Sequence, residues 1–447
     1  MGVARLKLDN VPNTFAGTHI NDTDTTTDDR QDASWVVMIP NVIPGEVVTG
    51  RIFRNHKSYS EADLISVETA SPDRVEPKCP LAQDCGGCQY QHMPIALQRE
   101  WKTRHVAEMF QQQKIDLLGE HNCRVEPAMG TEHDYAYRSK ITPHYQAPPG
   151  QRSRRRNRQR AQERKEKYEE TTEPLPSVGS IGFQRATVRA ILDVPFCPIA
   201  TDPLNTAYAK KRQELLNQPY QGDLGATLLF RQANLDDDTV VSDHNEYMTT
   251  DVNGINFTYL AGNFFQNNLH ILPEMVNTVM AKASPSCLDE NDNEIQMTHF
   301  VDCYCGSGLF CLSAAQHFER CVGIEINKKA IAEARNNAMA NNLADKCSFE
   351  ASRAEAIFDN PQVQTFPRDT TVVMLDPPRK GCDEVFLKQL QSFRPKRISY
   401  LSCNPATQAR DVKEMVSWGY KITVVQPFDL FPQTRHIESL ALLERQD

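Results

Sequence analysis

Cys403 is the residue of this sequence whose type and place most directly indicate chemistry. It ends an apolar run, RISYLSC, that has the pattern of a buried strand, and Asn404 and Pro405 follow it. In open sheets of parallel strands, ligands bind at the carboxyl ends of the strands. A single cysteine is more often a small buried hydrophobe. Because a thiolate at this edge can attack an electrophile, we predict that Cys403 is a nucleophile.

A glycine-rich turn and two carboxylates indicate a bound cofactor. The turn runs from Asp302 to Gly308, as DCYCGSG, and its glycines let the backbone approach a ligand closely. The next apolar run ends in Glu325, where a carboxylate can accept hydrogen bonds from ribose hydroxyls. Asp376 ends a third run, TVVMLD, before two prolines, which could also be only a strand-ending turn. Together these features favour an adenosine-containing cofactor.

A thiolate is useful for one demanding reaction, methylation at carbon 5 of uracil. Addition of the thiolate to carbon 6 turns the ring into an enolate that can attack an electrophilic methyl group. A base must then remove the proton from carbon 5, and we assign that role to Glu438 in FPQTRHIESL. The alternative for Glu438 is a salt bridge to Arg435 or His436.

The elements that must position these residues are apolar strands alternating with helical segments after residue 298. Such alternation predicts parallel pairing and a doubly wound α/β sheet. The predicted strands are THFVDCY, RCVGIEI, TVVMLD, RISYLSC and YKITVVQPFDL, and the predicted helices are KKAIAEARNNAMANN and DEVFLKQLQSF.

A cysteine cluster lies upstream. Cys79, Cys85 and Cys88 are separated by five and then two residues, with Pro80, Gly86 and Gly87 among them. Such spacing can bind a metal or an iron–sulfur cluster, which needs four thiolates. We choose Cys197, followed by proline, as the fourth ligand over Cys123. Four thiolates also make a structural zinc site, and the spacing alone does not separate the two.

Five motifs, in order along the chain, resemble those of the RNA uracil-5-methyltransferase family. They are GNFFQN at Gly262, DCYCGSG at Asp302, LDPPRKG at Leu375, SCNPAT at Ser402 and FPQTRHIE at Phe431. The resemblance covers nearly the whole chain and implies a class I, Rossmann-like methyltransferase domain.

The resemblance also implies roles for single residues. The residues that would bind S-adenosyl-L-methionine are Gln266, Tyr304, Glu325 and Asp376. Cys403 would be the nucleophile and Glu438 the base. The cluster-bearing branch of the family matches at Cys79, Cys85, Cys88 and Cys197, which implies a [4Fe-4S] cluster. Phe264 and Phe265 could stack on a base or be ordinary core aromatics.

We predict three parts. Residues 1–72 form a small OB-like β-barrel that resembles the RNA-binding TRAM domain; residues 73–92 and 124–261 form a central α+β iron–sulfur domain; residues 93–123 and 262–447 form the catalytic domain. Within them we expect a flexible insertion at Asn21 to Arg30 and an amphipathic helix from Ile95 to Leu118, with Leu97, Trp101 and either Val106 or Phe110 on one side.

RNA is the expected partner, although the net charge of −9 opposes phosphate binding. The stretch from Arg152 to Lys167, however, contains nine basic residues and only two acidic ones. It lies inside a predicted disordered insertion at about residues 146–177. This run is either a solvated surface or an RNA contact. The runs DCYCGSGLF and LDPPRKGCDEVFLKQL look more like fungal-type transfer RNA enzymes, so tRNA is favoured over rRNA.

The bulk composition excludes several other classes. No apolar run is long enough for a membrane span, and the 13 cysteines are too dispersed for a small secreted disulfide framework. We expect no membrane and no obligate protein partner, and a cytoplasmic or organellar location. Because the predicted barrel begins almost at Met1, this expectation allows for an upstream targeting segment.

Two alternatives differ in class from the favoured function. A cytosine-5 methyltransferase would use the same thiolate chemistry, but the motifs match the uracil group better. A non-catalytic iron–sulfur RNA-binding protein would not need both Cys403 and Glu438, and it would form no covalent adduct with 5-fluorouridine-substituted RNA.

Overall fold

The structure is a computed structural model that describes residues 2–7, 34–147, 178–218, 225–283, 286–288 and 294–446. Two sequence features fall outside these ranges: the predicted insertion at Asn21 to Arg30, and the predicted basic insertion except for its first two residues. The chain forms two compact units. The first comprises Met1–Gln83 and Cys88–Pro94, and the second comprises Asp84–Gly87 and Ile95–Asp447.

The first unit contains a four-stranded sheet. Its strands are β1 (Gly2–Lys7), β2 (Ser34–Ile39), β3 (Val47–Asn55) and β4 (Tyr59–Thr69). The order is β1-β2-β4-β3, in which β2 and β4 are parallel and the other neighbours are antiparallel. Val37, Ile39 and Ala62 form its small core. For residues 35–67 we expected antiparallel strands of a small barrel; strands β2 to β4 lie there and β3 is antiparallel to β4, but β2 and β4 are parallel, so that part of the prediction is wrong. Closure into an OB-like barrel stays a prediction.

The second unit opens with helix α1 (Ile95–Gln112). The predicted helix was six residues too long, and its buried side is wrong in its first half. Leu97 and Trp101 are only half-buried, whereas Gln98 and Lys102 are buried in line with Val106 and Phe110. The polar residues are tolerated because each has a buried partner, described below.

The middle of the second unit consists of short strands and one helix. These are β5 (Lys140–Ile141), β6 (His144–Gln146), β7 (Ile181–Gln184), β8 (Ile191–Asp193), α2 (Asp202–Asn217), β9 (Gly225–Thr227), β10 (Phe230–Gln232) and β11 (Val240–Val241). They form two small sheets, β8-β7-β6-β9 and β11-β10-β5, and their core includes Ile181, Leu204 and Tyr208. A hairpin follows, made of β12 (Tyr247–Val252) and β13 (Ile255–Leu260).

The rest of the second unit is an α/β layered structure around one large sheet. Two strands, β14 (Ser286–Leu288) and β15 (Glu294–Gln296), form a separate hairpin. The strands of the large sheet are β16 (His299–Asp302), β17 (Arg320–Glu325), β18 (Cys347–Ala351), β19 (Thr371–Leu375), β20 (Arg397–Ser402), β21 (Tyr420–Phe428) and β22 (Glu438–Arg445). Its helices are α3 (Leu272–Ala283), α4 (Leu309–Ala314), α5 (Lys328–Ala340), α6 (Pro361–Gln364), α7 (Glu384–Phe393) and α8 (Pro405–Ser417). All of the strands and both helices predicted after residue 298 are confirmed.

The large sheet has seven strands in the order β18-β17-β16-β19-β20-β22-β21. The first five are mutually parallel, and β22 is antiparallel to both of its neighbours. Strand β19 is buried along its whole length, as expected for a strand covered on both faces. The sequence prediction missed β22 and β18. Since the α/β part of the predicted fold is confirmed, the carboxyl edge of this sheet is the place to look for a site.

No helix in the described part of the chain is long and apolar enough to cross a bilayer.

Candidate active site at the carboxyl edge of the sheet

A cavity of about 840 Å³ lies at the carboxyl edge of the seven-stranded sheet. All six residues predicted from the sequence to bind the cofactor or to react contribute to its wall: Gln266, Tyr304, Glu325, Asp376, Cys403 and Glu438. They come from four strand ends, from the turn after β16 and from the loop after β13, so distant sequence positions converge on one space.

Strand register brings Cys403 and Glu438 together. Strand β20 ends at Ser402, which is paired with Ser439 of the antiparallel strand β22. Cys403 directly follows Ser402, and Glu438 directly precedes Ser439. In an antiparallel pair these two residues lie beside the Ser402–Ser439 pair, at the same end of the two strands. Because β22 runs opposite to its neighbours, its first residue lies at the edge where the parallel strands end. This explains how a carboxylate 35 positions downstream of the thiol reaches the same site.

Glu438 is buried, and its surroundings favour the protonated form. Burial and the nearby carboxylate of Asp376 raise its pKa well above the usual value, while Arg379 acts in the opposite direction. Burial also raises the pKa of Asp376 to about 7. A carboxylate of raised pKa in a cleft has the basicity that a proton acceptor working near neutral pH needs. The positive charge that acts on Glu438 is that of Arg379, and the alternative of a salt bridge from Glu438 to Arg435 or His436 stays a prediction.

Arg379 is a residue that the sequence analysis missed. Burial and the carboxylates of Glu438 and Asp376 raise the pKa of the Cys403 thiol, whereas the charge of Arg379 and its hydrogen bond to the thiol lower it. The backbone of Arg379 is fixed, because its carbonyl accepts hydrogen bonds from the side chains of Asn404 (2.9 Å) and Thr407 (3.3 Å). A guanidinium beside a thiol stabilises the thiolate. The arginine that follows Asp-Pro-Pro was the available signal.

The cofactor-side turn depends on Gly308, which begins α4 with φ of 97°. A side chain there would be strained and would press on Leu312 and Ala334, so glycine is required. Asp302, at the end of β16, is fully buried, and one of its carboxylate oxygens has no hydrogen-bond partner in the described residues. Burial raises its pKa to about 8. The other oxygen accepts a hydrogen bond from the backbone N–H of Cys311 (3.1 Å), so Asp302 fixes the start of α4 from behind the cavity wall.

A side-chain ladder on α5 holds the other side of this turn. Asn341, Asn337 and Glu333 accept hydrogen bonds from the backbone N–H groups of Asn256 (2.9 Å), Thr258 (2.8 Å) and Leu260 (3.2 Å), respectively. Four residues of helix rise about 6 Å and two residues of strand about 6.7 Å, so the two spacings match over three rungs. We call these three contacts the α5 ladder.

The α5 ladder connects to the cavity at two points. Glu333 also accepts a hydrogen bond from the side chain of Asn263 (2.8 Å), and Asn337 donates one to the carbonyl of Ser307 (3.1 Å) in the glycine-rich turn. Both Asn263 and Ser307 line the cavity. Strand β13 therefore leads into the loop that carries Gln266 from a fixed position.

The two phenylalanines of this loop have different environments. Phe265 is buried and stacks on Tyr259 with ring centroids 4.3 Å apart, so it is a core aromatic. Phe264 is 78% exposed and lines the cavity. Only Phe264 stays available for stacking on a base.

The four cysteines predicted to bind a cluster fall into two pairs, one in each unit. Cys79 and Cys88 line a cavity of about 150 Å³ in the first unit. In the second unit, burial raises the pKa of Cys197, and the negative charge of Cys85 adds to this effect. All four are free thiols. Among the described residues no group of three or more His, Cys, Asp or Glu side chains is arranged to hold a metal ion, so the cluster stays a prediction.

Comparison with known proteins agrees with the resemblance seen in the motifs. The family model for tRNA (uracil-5-)-methyltransferases matches residues 201–446. The tRNA (uracil(54)-C(5))-methyltransferase of Schizosaccharomyces pombe is 36% identical over 423 residues, covering 92% of this chain and 74% of that protein. The enzyme of the same name from Saccharomyces cerevisiae is 30% identical over 459 residues, covering 92% and 69%.

A solved structure shares the fold. The Pyrococcus abyssi tRNA (uracil-54, C5)-methyltransferase, determined in complex with S-adenosyl-L-homocysteine, superposes with a TM-score of 0.63 at 19% identity, covering 92% of this chain and 97% of that one. At this identity the match bears on the fold alone. The family model and the two fungal relatives carry the assignment, and this chain belongs to the tRNA (uracil-5-)-methyltransferase family.

Proposed function

We propose that this protein methylates carbon 5 of a uridine in structured RNA, with S-adenosyl-L-methionine as methyl donor. The observation that carries the proposal is that Cys403 and Glu438, which flank the paired residues Ser402 and Ser439 at one end of β20 and β22, both line the cavity whose wall also includes Gln266, Tyr304, Glu325 and Asp376. A structural cysteine does not need a buried carboxylate of raised pKa beside it, whereas a nucleophile that must later be expelled does.

The reaction can be followed through the protein's own groups. Arg379 favours the Cys403 thiolate, which forms a bond to carbon 6 of uracil and moves an electron pair to carbon 5 and oxygen 4. When bound, S-adenosyl-L-methionine would supply the electrophilic methyl group that carbon 5 attacks, and its methyl–sulfur bond would break to leave S-adenosyl-L-homocysteine. Glu438 takes the proton from carbon 5, and the electron pair of that bond re-forms the double bond as the thiolate leaves carbon 6.

The residues proposed to hold the methyl donor fit its chemistry. Glu325 ends β17 at the cavity wall, and its carboxylate can accept hydrogen bonds from ribose hydroxyls. Gln266, Tyr304 and Asp376 add an amide, a phenol and a carboxyl group, which suits a ligand with both cationic and hydrogen-bonding parts.

We favour tRNA over rRNA as the substrate, because the fungal relatives named above bear the name of tRNA enzymes. In the first test, wild-type protein purified without oxygen would receive labelled S-adenosyl-L-methionine with unmodified tRNA and rRNA in parallel. We expect label in 5-methyluridine of tRNA, none with Cys403→Ala, and normal activity with Cys123→Ala, a buried cysteine that does not line the cavity. Label in 5-methylcytidine would favour the cytosine-5 enzyme, and no adduct with 5-fluorouridine RNA would favour the non-catalytic protein.

A [4Fe-4S] cluster bound by Cys79, Cys85, Cys88 and Cys197 is part of the proposal. Its support is the resemblance to the cluster-bearing branch at all four positions, the spacing of the first three cysteines and the shared cavity of Cys79 and Cys88. When bound, such a cluster would link four chain positions; methyl transfer to the enolate needs no electron, so we assign it a structural role.

The cluster is tested by its content and its ligands. We expect about four iron and four sulfide ions per chain in anaerobically purified protein, lost with Cys197→Ser and retained with Cys123→Ser. Zinc without acid-labile sulfide would contradict the proposal. Unchanged RNA binding and methylation after complete removal of the cluster would contradict its structural role.

The N-terminal unit is proposed to be an OB-like, TRAM-type RNA-binding module. Its strand β3 is exposed along nearly its whole length and carries Phe53, which is 54% exposed, between Arg51 and Arg54. Exposed aromatic and basic side chains on a strand can stack on bases and contact phosphates. We expect Phe53→Ala to weaken RNA binding without changing the affinity for S-adenosyl-L-methionine; equal RNA affinity would contradict this role.

A further inference from the structure

Lys102 is a fully buried cation that the proposed reaction does not use. Its side chain on α1 is 0% exposed, and its ammonium group lies 2.5 Å from a carboxylate oxygen of Asp429, which is also 0% exposed. The same ammonium group donates to the carbonyl of Phe431 (3.1 Å). Arg99, one turn earlier on α1, lies 3.4 Å from the other oxygen of Asp429. A charge buried this completely is tolerated only when it is paired and hydrogen-bonded.

A second contact joins α1 to the same stretch of chain. Gln98 and Gln433 are both buried and form two hydrogen bonds: Gln98 donates its amide to the side chain of Gln433 (2.9 Å), and the backbone N–H of Gln433 donates to Gln98 (2.8 Å). Gln433 has a φ of 67°, a left-handed conformation that is unfavourable for a residue with a side chain. The amide pair holds this strained residue in place.

The stretch from Asp429 to Gln433, here called the 429–433 segment, is also held from other sides. Tyr137 donates to the carbonyl of Pro432 (2.9 Å), and Asn268 donates to that of Leu430 (2.9 Å). Each residue of the segment therefore has at least one fixed polar contact outside it. This density of contacts exceeds what a connection between two strands requires.

The 429–433 segment leads directly to the proposed base. It begins just after β21 and is followed within five residues by Glu438, the first residue of β22. Phe431 in the segment and His436 just after it line the cavity next to Glu438. Burial and the positive charges of Arg379, Arg435, Lys102 and Arg138 lower the pKa of His436 to about 4, so the electrostatic influence of Lys102 reaches the cavity wall.

We propose that Lys102 and Gln98 are positioning residues: through Asp429 and Gln433 they fix the 429–433 segment, and so set the place of Glu438 for removal of the carbon 5 proton. The inference rests on the proposed function. It separates two steps of the reaction, because thiolate addition and methyl transfer use Cys403 and the cofactor residues, whereas only elimination needs Glu438. Loss of the contacts of Lys102 with Asp429 or of Gln98 with Gln433 should slow elimination more than methyl transfer.

The test measures the two steps on one RNA. Substrate RNA containing tritium at carbon 5 of uridine releases tritium when Glu438 removes the proton, and labelled S-adenosyl-L-methionine reports methyl transfer. For Lys102→Met we expect a covalent protein–RNA adduct that already carries the methyl group, with tritium release roughly tenfold slower than methyl transfer. Gln98→Leu leaves the charge pair intact and should show the same pattern more weakly, which keeps the test informative if Lys102→Met does not fold.

The matched control is Arg104→Met, on the exposed side of the same helix, which should behave as wild type. A merely structural role would lower methyl transfer and tritium release together and leave no adduct. Folded Lys102→Met and Gln98→Leu proteins with the wild-type ratio of the two rates would overturn the inference alone. Wild-type protein that forms no 5-methyluridine in tRNA or rRNA would overturn both the proposed function and the inference that rests on it.

Discussion

Two loops of the same cavity are held by different physical means. The α5 ladder holds strand β13 by three side-chain hydrogen bonds to its backbone, and Glu333 also holds Asn263 in the loop after it, which carries Gln266. The 429–433 segment, which leads to Glu438, is held by a buried ion pair and a buried amide pair on α1. One loop belongs to the cofactor side of the cavity and the other to the side of the proposed base.

The difference indicates how each loop can fail. A hydrogen bond to a backbone group contributes about 1 kcal/mol and its loss is local. A buried ion pair contributes little net stability, but removing one partner leaves an uncompensated charge and is costly. Substitutions in the α5 ladder should therefore each cost a modest part of the stability of the cofactor side. On the side of Glu438, the geometry should persist until the ion pair of Lys102 and Asp429 is broken.

The largest effect is expected from Asp429→Leu, which leaves Lys102 buried beside no carboxylate. We expect the free energy of unfolding to fall by about 3–5 kcal/mol, measured by urea unfolding. The double variant Lys102→Met with Asp429→Leu should be more stable than Asp429→Leu alone, since neither charge then remains. A loss below about 1 kcal/mol for Asp429→Leu would remove the contrast between the two loops.

A smaller loss is expected from Asn337→Ala in the middle of the α5 ladder. It leaves the N–H of Thr258 and the carbonyl of Ser307 without this partner and should cost about 1–3 kcal/mol. Because Ser307 lies in the glycine-rich turn, affinity for S-adenosyl-L-methionine should fall, as measured by calorimetry. Asn336→Ala, on the exposed side of α5, is the control; equal affinities in the two variants would separate the ladder from the cofactor site.

Arg379→Met tests the effect of charge on the side of the cavity that holds Glu438. It changes neither the α5 ladder nor the contacts of α1 with the 429–433 segment. Arg379 lowers the pKa of both Cys403 and Glu438, so its removal should raise both. The thiolate and the carboxylate then form only at higher pH, and the rising limb of the pH–rate profile should move to higher pH. Arg379→Lys keeps the positive charge and should move it less. An unchanged profile in Arg379→Met would contradict the proposed influence on Cys403 and Glu438.

The smallest effect is expected from Glu333→Gln, which keeps an acceptor on the ladder but removes the carboxyl group. Burial raises the pKa of Glu333, so the folded state retains its proton to higher pH than the unfolded chain does. This contribution to stability is present at low pH and is lost as pH rises through the raised pKa. The melting temperature of Glu333→Gln should thus equal or trail the wild type at pH 4 and gain on it toward pH 8; a constant difference would contradict this.

The sequence predicted the residues that line the cavity better than the contacts that hold its loops in place. Cys403, Asp376 and Glu325 could be placed together because an apolar run marks each strand and strand ends share an edge. The helix α1 was oriented wrongly because periodicity assigns apolar residues to the core, and Lys102 is buried only through Asp429, more than 300 positions away. Strand β22 was missed because no local pattern states that it inserts between β20 and β21. The motif therefore predicted Glu438 as a site residue, although the strand that carries it was not predicted.

The α5 ladder also requires a fixed number of residues in the helical stretch and in the strand that it joins. Its rungs exist only while the nine residues from Glu333 to Asn341, which end one residue after α5, run beside the five residues of strand from Asn256 to Leu260. Inserting one residue in either stretch would rotate or reverse every side chain beyond it and break the remaining rungs. In any relative that keeps this ladder, we therefore expect insertions and deletions to fall outside these two stretches.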